Sequence, residues 1–403
     1  MSDTSGDRKS SANVTTESVA RARQRVNAAF ADLIGNDEAI YSVKRGLVVA
    51  LASTPDGQMP VLARTYLLSG PPSTGKTAIA KRVADALGVP FVRVDGRAVR
   101  SRERLFEMID DALSAQNLCP QRDGVRAGTP MMHYPPFGVF IDEVHLVPER
   151  LQESFLTMLE ADDRELLLNG ESGRRLARVD QAVFVFATTR PAGLDRAFRS
   201  RCIEIQLRRY TADEVTAMVR VRYPTLPIAI AEAVATISRL SPRQAFALAQ
   251  EVIDETIISD DGAGSADMKA CLKRVMDGRG ILFVNGATRD DLRYLDVLDR
   301  ARRPMGEAAL QAALYDVDAA RLQDDIEPYL LQMDYIGVSP KGRQITIRGV
   351  GLLEQVRETG LRVRSGAGSG AGAKGGGSVA GNGVRINENS EPIRVGRGTY
   401  VHE

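Results

Sequence analysis

TYLLSGPPSTGKTAIAKRVADAL, residues 65–87 of a 403-residue chain, decides the fold. A short apolar run leads into a glycine-bounded loop, and the loop opens onto a segment with helical periodicity. From Gly70 to Thr77 the loop fits G-x-x-x-x-G-K-[ST]. Phosphates need closely approaching backbone N–H donors and a helix N-terminus. Glycines permit that approach, while Lys76 supplies positive charge and the Thr77 hydroxyl a ligand for Mg²⁺. A Gly-rich turn alone is a structural device; one set between a strand and a helix reads as a nucleotide site.

Working outward, FVRV, GVFID, AVFVFATT and CIEIQL are further short apolar runs separated by helix-like stretches, the rhythm of a parallel sheet built from βαβ units. GVFID continues as VFIDEVH, which places adjacent carboxylates at a strand end. There Asp142 can hold Mg²⁺ through water and Glu143 can polarise an attacking water, although such a pair can also be a solvated helix start. The next strand ends AVFVFATTRPAGLDRAFRSRC, where Thr189, or Thr188, is positioned to orient water beside a γ-phosphate. Arg199 and Arg201 follow on a helix-to-strand connection that has moved away from its own phosphates and can reach a neighbouring subunit. An arginine supplied in this way offsets transition-state charge. In LSPRQAFALAQEV, Arg243 opens a helix from which it can return over the nucleotide.

The parallel-sheet pattern covers residues 26–210, after a polar N-terminus, 1–25, expected to be disordered. From TADEV at Thr211 the pattern is wholly helical, with Thr211 as a cap and Asp213 and Glu214 in the first turn, giving a helical domain over 211–287. Residues 288–350 hold three helical runs, then EPYLLQMDYIGVSPKGRQIT, in which an apolar helix, a tight turn and a short basic hairpin suggest a winged helix. Residues 351–403 contain SGAGSGAGAKGGGSVAGNG, too poor in apolar side chains to pack, and are expected to be linker and tail. Fifty-three basic and 52 acidic residues nearly cancel, so any nucleic-acid surface must be a local patch. Cys119, Cys202 and Cys271 lack the close pairing of a zinc or disulfide framework, and no apolar run approaches bilayer length, so the expected compartment is the cytoplasm.

The order GPPSTGKT, VFIDEVH, ATTRP, FRSRC and SPRQA resembles that of AAA+ ATPases. EPYLLQMDYIGVSPKGRQIT and RRPMGEAALQAAL are similar to the C-terminal domain of the RuvB family, bacterial motors that drive branch migration at Holliday junctions. The likeness spans about residues 30–350. It implies an α/β AAA+ P-loop NTPase large domain, a helical lid and a C-terminal winged helix, acting on ATP and Mg²⁺ as a homo-oligomeric ring, a hexamer. DLIGNDEAI then supplies Ile34 and Gly35 to the nucleotide pocket, beside Gly70, Pro71, Pro72, Ser73, Thr74, Gly75, Lys76, Thr77 and Ala78. Thr77 and Asp142 become the metal ligands, Asp142 and Glu143 the Walker B pair, Thr189 sensor 1, Arg201 the trans finger and Arg243 sensor 2.

At the wing, Lys341, Arg343 and Arg348 are expected to meet DNA phosphates without reading bases. A winged domain can equally dock protein, so the alternative to a DNA motor is an ATP-dependent switch or assembly factor. The segment 165–179, ELLLNGESGRRLARV, lies where the family engages its partner RuvA; Arg174 and Arg175 at its tip suggest a RuvA-like or different loading protein. Two departures stand out. The family's third loop glycine is replaced by Ser73 and Thr74, and NLCPQRDGVRAGTPMMHYPPF, residues 117–137, is longer than the family has there, a loop of functional or disordered type.

Overall fold

The computed structural model describes residues 14–55, 65–159, 165–170, 173–259, 267–282 and 285–358. Residues 359–403 of the expected Gly-rich linker and tail lie outside them, as do the first 13 residues.

The chain runs α1 (Thr16–Ala29), α2 (Asp37–Ala52), β1 (Thr65–Ser69), α3 (Lys76–Leu87), β2 (Phe91–Asp95), α4 (Arg102–Ser114), β3 (Gln121–Arg126), β4 (Thr129–His133), β5 (Phe137–Asp142) and α5 (Glu149–Leu159). It continues through β6 (Glu165–Gly170), β7 (Gly173–Arg178), β8 (Ala182–Thr188), α6 (Arg196–Ser200) and β9 (Cys202–Gln206). Helices α7 (Ala212–Arg222), α8 (Ile228–Ile237), α9 (Pro242–Ser259) and α10 (Met268–Gly278) form the second region. The third holds α11 (Arg289–Ala301), α12 (Glu307–Ala313), α13 (Ala319–Arg321), α14 (Glu327–Gln332), β10 (Ile336–Ser339), β11 (Gly342–Ile345) and α15 (Ile347–Glu358).

Five parallel strands make the central sheet, in the order β2-β5-β8-β1-β9. Strand alternation divides their side chains between two cores. Leu67, Ile141 and Phe186 enter one with α4 and α5 residues such as Phe106 and Phe155. Tyr66, Leu68, Phe140 and Val185 enter the other with Val43, Leu47 and Val83 of α2 and α3. A parallel sheet must be covered on both faces, and the near-continuous apolar runs are the result. Separate cores organise the helical region, around Val219, Val234 and Leu248, and the last region, around Leu295, Leu330 and Leu353.

Three expectations need correction. Within the segment 1–25 expected to be disordered, helix α1 already runs from the capping box of Thr15 with Ser18, ahead of Val26, and Ala22 and Val26 bury themselves against α2 and α3. At the other end α15 continues past Val350 to Glu358, with Leu352, Leu353 and Val356 buried. The long segment at 117–137 is a β-hairpin and not an open loop. Its β4 pairs parallel with β7, and the hairpin joins the expected 165–179 hairpin in a four-stranded sheet, β3-β4-β7-β6. Strand β4 reaches β5 through Tyr134, Pro135 and Pro136, and Tyr134 is fully buried.

Candidate functional site

The phosphate loop hangs from the end of β1, where the Gly70 N–H donates to the Thr188 carbonyl at 3.2 Å and fastens the loop to the end of β8. Gly70 (φ 151°) and Gly75 (φ 89°) hold backbone conformations that L side chains rarely adopt. A Cβ on Gly75 would strike the Tyr210 hydroxyl, which itself donates to the Thr74 carbonyl at 3.0 Å. Ser73 has φ 61°, so the position where the family has its extra glycine does take a left-handed conformation. Lys76, buried at the start of α3, donates to the carbonyls of Gly70 (2.9 Å) and Pro71 (2.8 Å). Burial lowers its pKa, and the nearby Glu143 and Asp142 carboxylates work in the opposite direction.

A cavity of about 790 Å³ opens over this loop. Pro72 to Ala78, Asp142, Glu143 and Arg243 all face it, so the structure gathers the P-loop, the carboxylate pair and the lid arginine at one place. Ile34 lines it too, with Leu33 and, from the lid, Met218, Val221 and Phe246, an apolar side suited to a base. Gly35, Gly70 and Pro71 do not face the cavity; the glycines shape the chain, and Gly70 and Pro71 give their carbonyls to Lys76.

Glu143 follows β5 with φ 50° and is held from β8: Thr189 donates to its Oε2 from the hydroxyl (2.9 Å) and from the backbone N–H (3.2 Å). Of the two threonines, it is Thr189 that contacts this carboxylate. Thr188 is fully buried, with its hydroxyl 3.0 Å from His145 Nδ1, while Thr189 touches the carboxylate. The same histidine nitrogen lies 3.2 Å from Glu143 Oε2, and burial holds His145 below its ordinary pKa. Asp142 is paired with Arg93 of β2 at 3.0 Å. Arg93, His145 and Tyr210 escaped the reading of the sequence. The only signal for Arg93 was its outward position in an alternating strand beside the acidic one.

Asp142 and Thr77 both offer hard oxygen donors to the cavity, and no group of three or more His, Cys, Asp or Glu that could hold a metal occurs among the described residues. That set fits Mg²⁺, which keeps waters and substrate phosphates in its shell and needs few protein ligands. Arg201 caps the end of α6, with Nη1 donating to the Ala197 carbonyl at 3.2 Å, and does not face this cavity. Cys202, its neighbour, pairs with Thr65 at the start of β1, whereas the loop follows Ser69 at that strand's end. A strand of this length spans roughly 15 Å, so Arg201 lies far from its own phosphates. Arg199 is engaged with Glu204 at 2.7 Å.

At the wing, Lys341 is exposed in the β10–β11 turn and Arg348 is exposed on α15. Arg343 is not a free phosphate contact: it makes two 3.1 Å bonds to Glu327 and a 3.4 Å contact with Glu307, leaving its side chain 19% exposed. In the accessory sheet Arg175 likewise turns inward, onto Asp110 of α4 at 2.6 Å, leaving Arg174 exposed at the tip.

The chain matches the ATPase family associated with various cellular activities (AAA) over residues 66–210 and the RuvB C-terminal winged helix domain over 284–354. It is 26% identical over 298 residues to the Holliday junction branch migration complex subunit RuvB of Ehrlichia ruminantium (strain Gardel), covering 72% of this chain and 82% of that protein. Identity to the same-named subunit of Campylobacter concisus (strain 13826) is also 26%, over 287 residues, 69% of this chain and 77% of that protein. Among solved structures, the Thermotoga maritima RuvB Holliday junction branch migration motor shares the fold, with a TM-score of 0.59 at 24% identity over 80% of this chain and 95% of that one.

Proposed function

We propose that this chain, which matches the AAA family over residues 66–210 and the RuvB C-terminal winged helix domain over 284–354, hydrolyses ATP with Mg²⁺ in a homo-oligomeric ring, a hexamer, that moves duplex DNA and displaces Holliday junctions or related branches. The supporting observation is the convergence of Lys76, Thr77, Asp142, Glu143 and Arg243 on one cavity that Arg201 does not reach. Thr77 and Asp142 would hold Mg²⁺, which offsets phosphate charge when bound. Lys76 would exchange its two loop carbonyls for phosphate oxygens. Glu143, aimed by Thr189, takes the proton of the attacking water. Arg243 reads the nucleotide from the lid, and Arg201 enters the next subunit's site, which makes turnover depend on assembly.

Lys341 and Arg348 are the basic side chains left to follow a DNA backbone, and a RuvA-like or other loading protein would dock on the accessory sheet beside Arg174. A second reading, an ATP-dependent switch gripping a protein, is favoured by the inward turn of Arg343 and by the insertion that widens this sheet. Steady-state ATP hydrolysis alone, with linear duplex and with a four-way junction, separates the two, using Glu143→Gln as the blank. Stimulation by DNA is expected of the motor; turnover indifferent to both DNAs hands the reading to the switch.

A further inference from the structure

On the far side of the phosphate loop lies a second cavity, of about 280 Å³. Pro72, Ser73 and Thr74 face both spaces, so the crest of the loop is the wall between them. The other part of that wall is the 2.9 Å bond between Glu143, which lines the first cavity, and Thr189, which lines the second. The remaining sides come from Arg190, from Arg209, from the lid loop at Arg239 and from the winged domain at Tyr329.

The charge in this space follows from three consecutive residues that join the central sheet to the lid. Arg208 turns to Glu214 of α7, and Tyr210 reaches the phosphate loop. Arg209 projects between them into the second cavity, without an ion pair among the described residues. Burial pushes its pKa down, and no acid offsets that. Arg190 adds a second cation, close enough to act on His145. Arg239 is already neutralised by Asp291, and among the described residues of the lining Asp325 is the one carboxylate. The balance favours a small anion, and the volume leaves room for one together with several waters, at ~30 Å³ per water.

We propose that this cavity receives orthophosphate after ATP cleavage and is its way out, with Arg190 and Arg209 as its cationic lining. The inference rests on the ATPase reading given above. Hydrolysis breaks the bond from the bridging oxygen to the γ-phosphorus and forms one from the water oxygen to that phosphorus. The water's proton passes through Glu143 to the products, ADP and orthophosphate. ADP still fills the first cavity, and orthophosphate is born at the wall beside Thr189. The second cavity is the cationic space next to that point, and orthophosphate enters it when the Glu143–Thr189 bond opens. Since Tyr329 closes one side, the seat of the winged domain sets how wide that way stands.

The test uses the full chain. Equilibrium dialysis measures binding of radiolabelled inorganic phosphate to the ADP-loaded protein, and chemical quench is compared with a fluorescent phosphate sensor during a single turnover. Arg209→Ala is expected to weaken phosphate binding about tenfold or more, the loss of one charge-assisted hydrogen bond. It also alters the interval between cleavage and release, and Arg209→Lys restores most of the affinity. Equal phosphate affinity in wild type and Arg209→Ala overturns the cavity assignment, whether or not ATP is cleaved. Absence of cleavage by the wild-type protein overturns the ATPase reading instead.

Discussion

At Ser73 a side chain with a Cβ occupies φ 61° inside the phosphate loop. A left-handed L-residue is disfavoured by roughly 1–2 kcal/mol, so Ser73→Gly should stabilise the fold, offset in part by the greater freedom of glycine when unfolded. The expected net gain is about 0.5–1 kcal/mol, seen as a higher urea midpoint; an unchanged or lower midpoint would mean that the serine makes a compensating contact. His145 gives a pH dependence. Its folded pKa lies below the ordinary 6.5 because burial penalises the imidazolium. Below that ordinary value the unfolded chain binds a proton that the folded one resists, so stability is fully present above it and declines as pH falls toward the folded pKa. Urea midpoints taken from about pH 7.5 to about pH 5.5 should fall less steeply in His145→Asn than in wild type.

At the scale of elements, the accessory sheet separates two adjacent arginines. Arg175 bridges to Asp110, which also accepts the Tyr134 hydroxyl at 2.8 Å, and all three lie where β7 meets α4. Arg175→Ala should lower stability by about 1–2 kcal/mol by leaving a half-buried carboxylate short of its partner. Arg174→Ala should stay within about 0.5 kcal/mol of wild type. If a loading protein uses the tip, its affinity should drop in Arg174→Ala, measured by titration calorimetry with the stability of both variants known. The central strands were legible because near-continuous apolar runs fit a sheet covered on both faces. The insertion was not, because every residue of β3 is exposed and only pairing through β4 with the later strand β7 makes this segment a sheet. Arg343 misled for a related reason: charge is visible in a sequence, but its partner Glu327, 16 residues earlier, is not. That the loop, the carboxylates and Arg243 meet at one cavity was legible because each lies in a short contiguous motif; Arg93 and Arg209 were not, because their surroundings exist only once separate strands and domains converge.

Across the whole molecule, one turn of chain connects nucleotide and wing. Arg239 and Leu240 both have positive φ, 57° and 58°, immediately before the helix that carries Arg243. Arg239 donates to the Gly286 and Asp325 carbonyls, pairs with the buried Asp291, and lies 4.1 Å from the centre of the Tyr329 ring. Arg239→Ala should free the winged domain from the lid and leave Asp291 unpaired. Calorimetry is expected to show an earlier, separate transition for the last region, and a single unshifted transition would mean the seat is held elsewhere. Assembly is probed by mixing: Arg201→Ala and Glu143→Gln subunits, each inactive alone, should recover part of the ATPase rate together, whereas no recovery at any ratio would count against a finger in trans. The passage from β4 into β5 has a mechanical side. Only Tyr134, Pro135 and Pro136 separate the accessory sheet from the strand that ends in Asp142, and the two prolines allow little slack. A pull on that sheet would reach Asp142 and Glu143 as through a taut cord, so load on the appendage would be felt at the cavity wall.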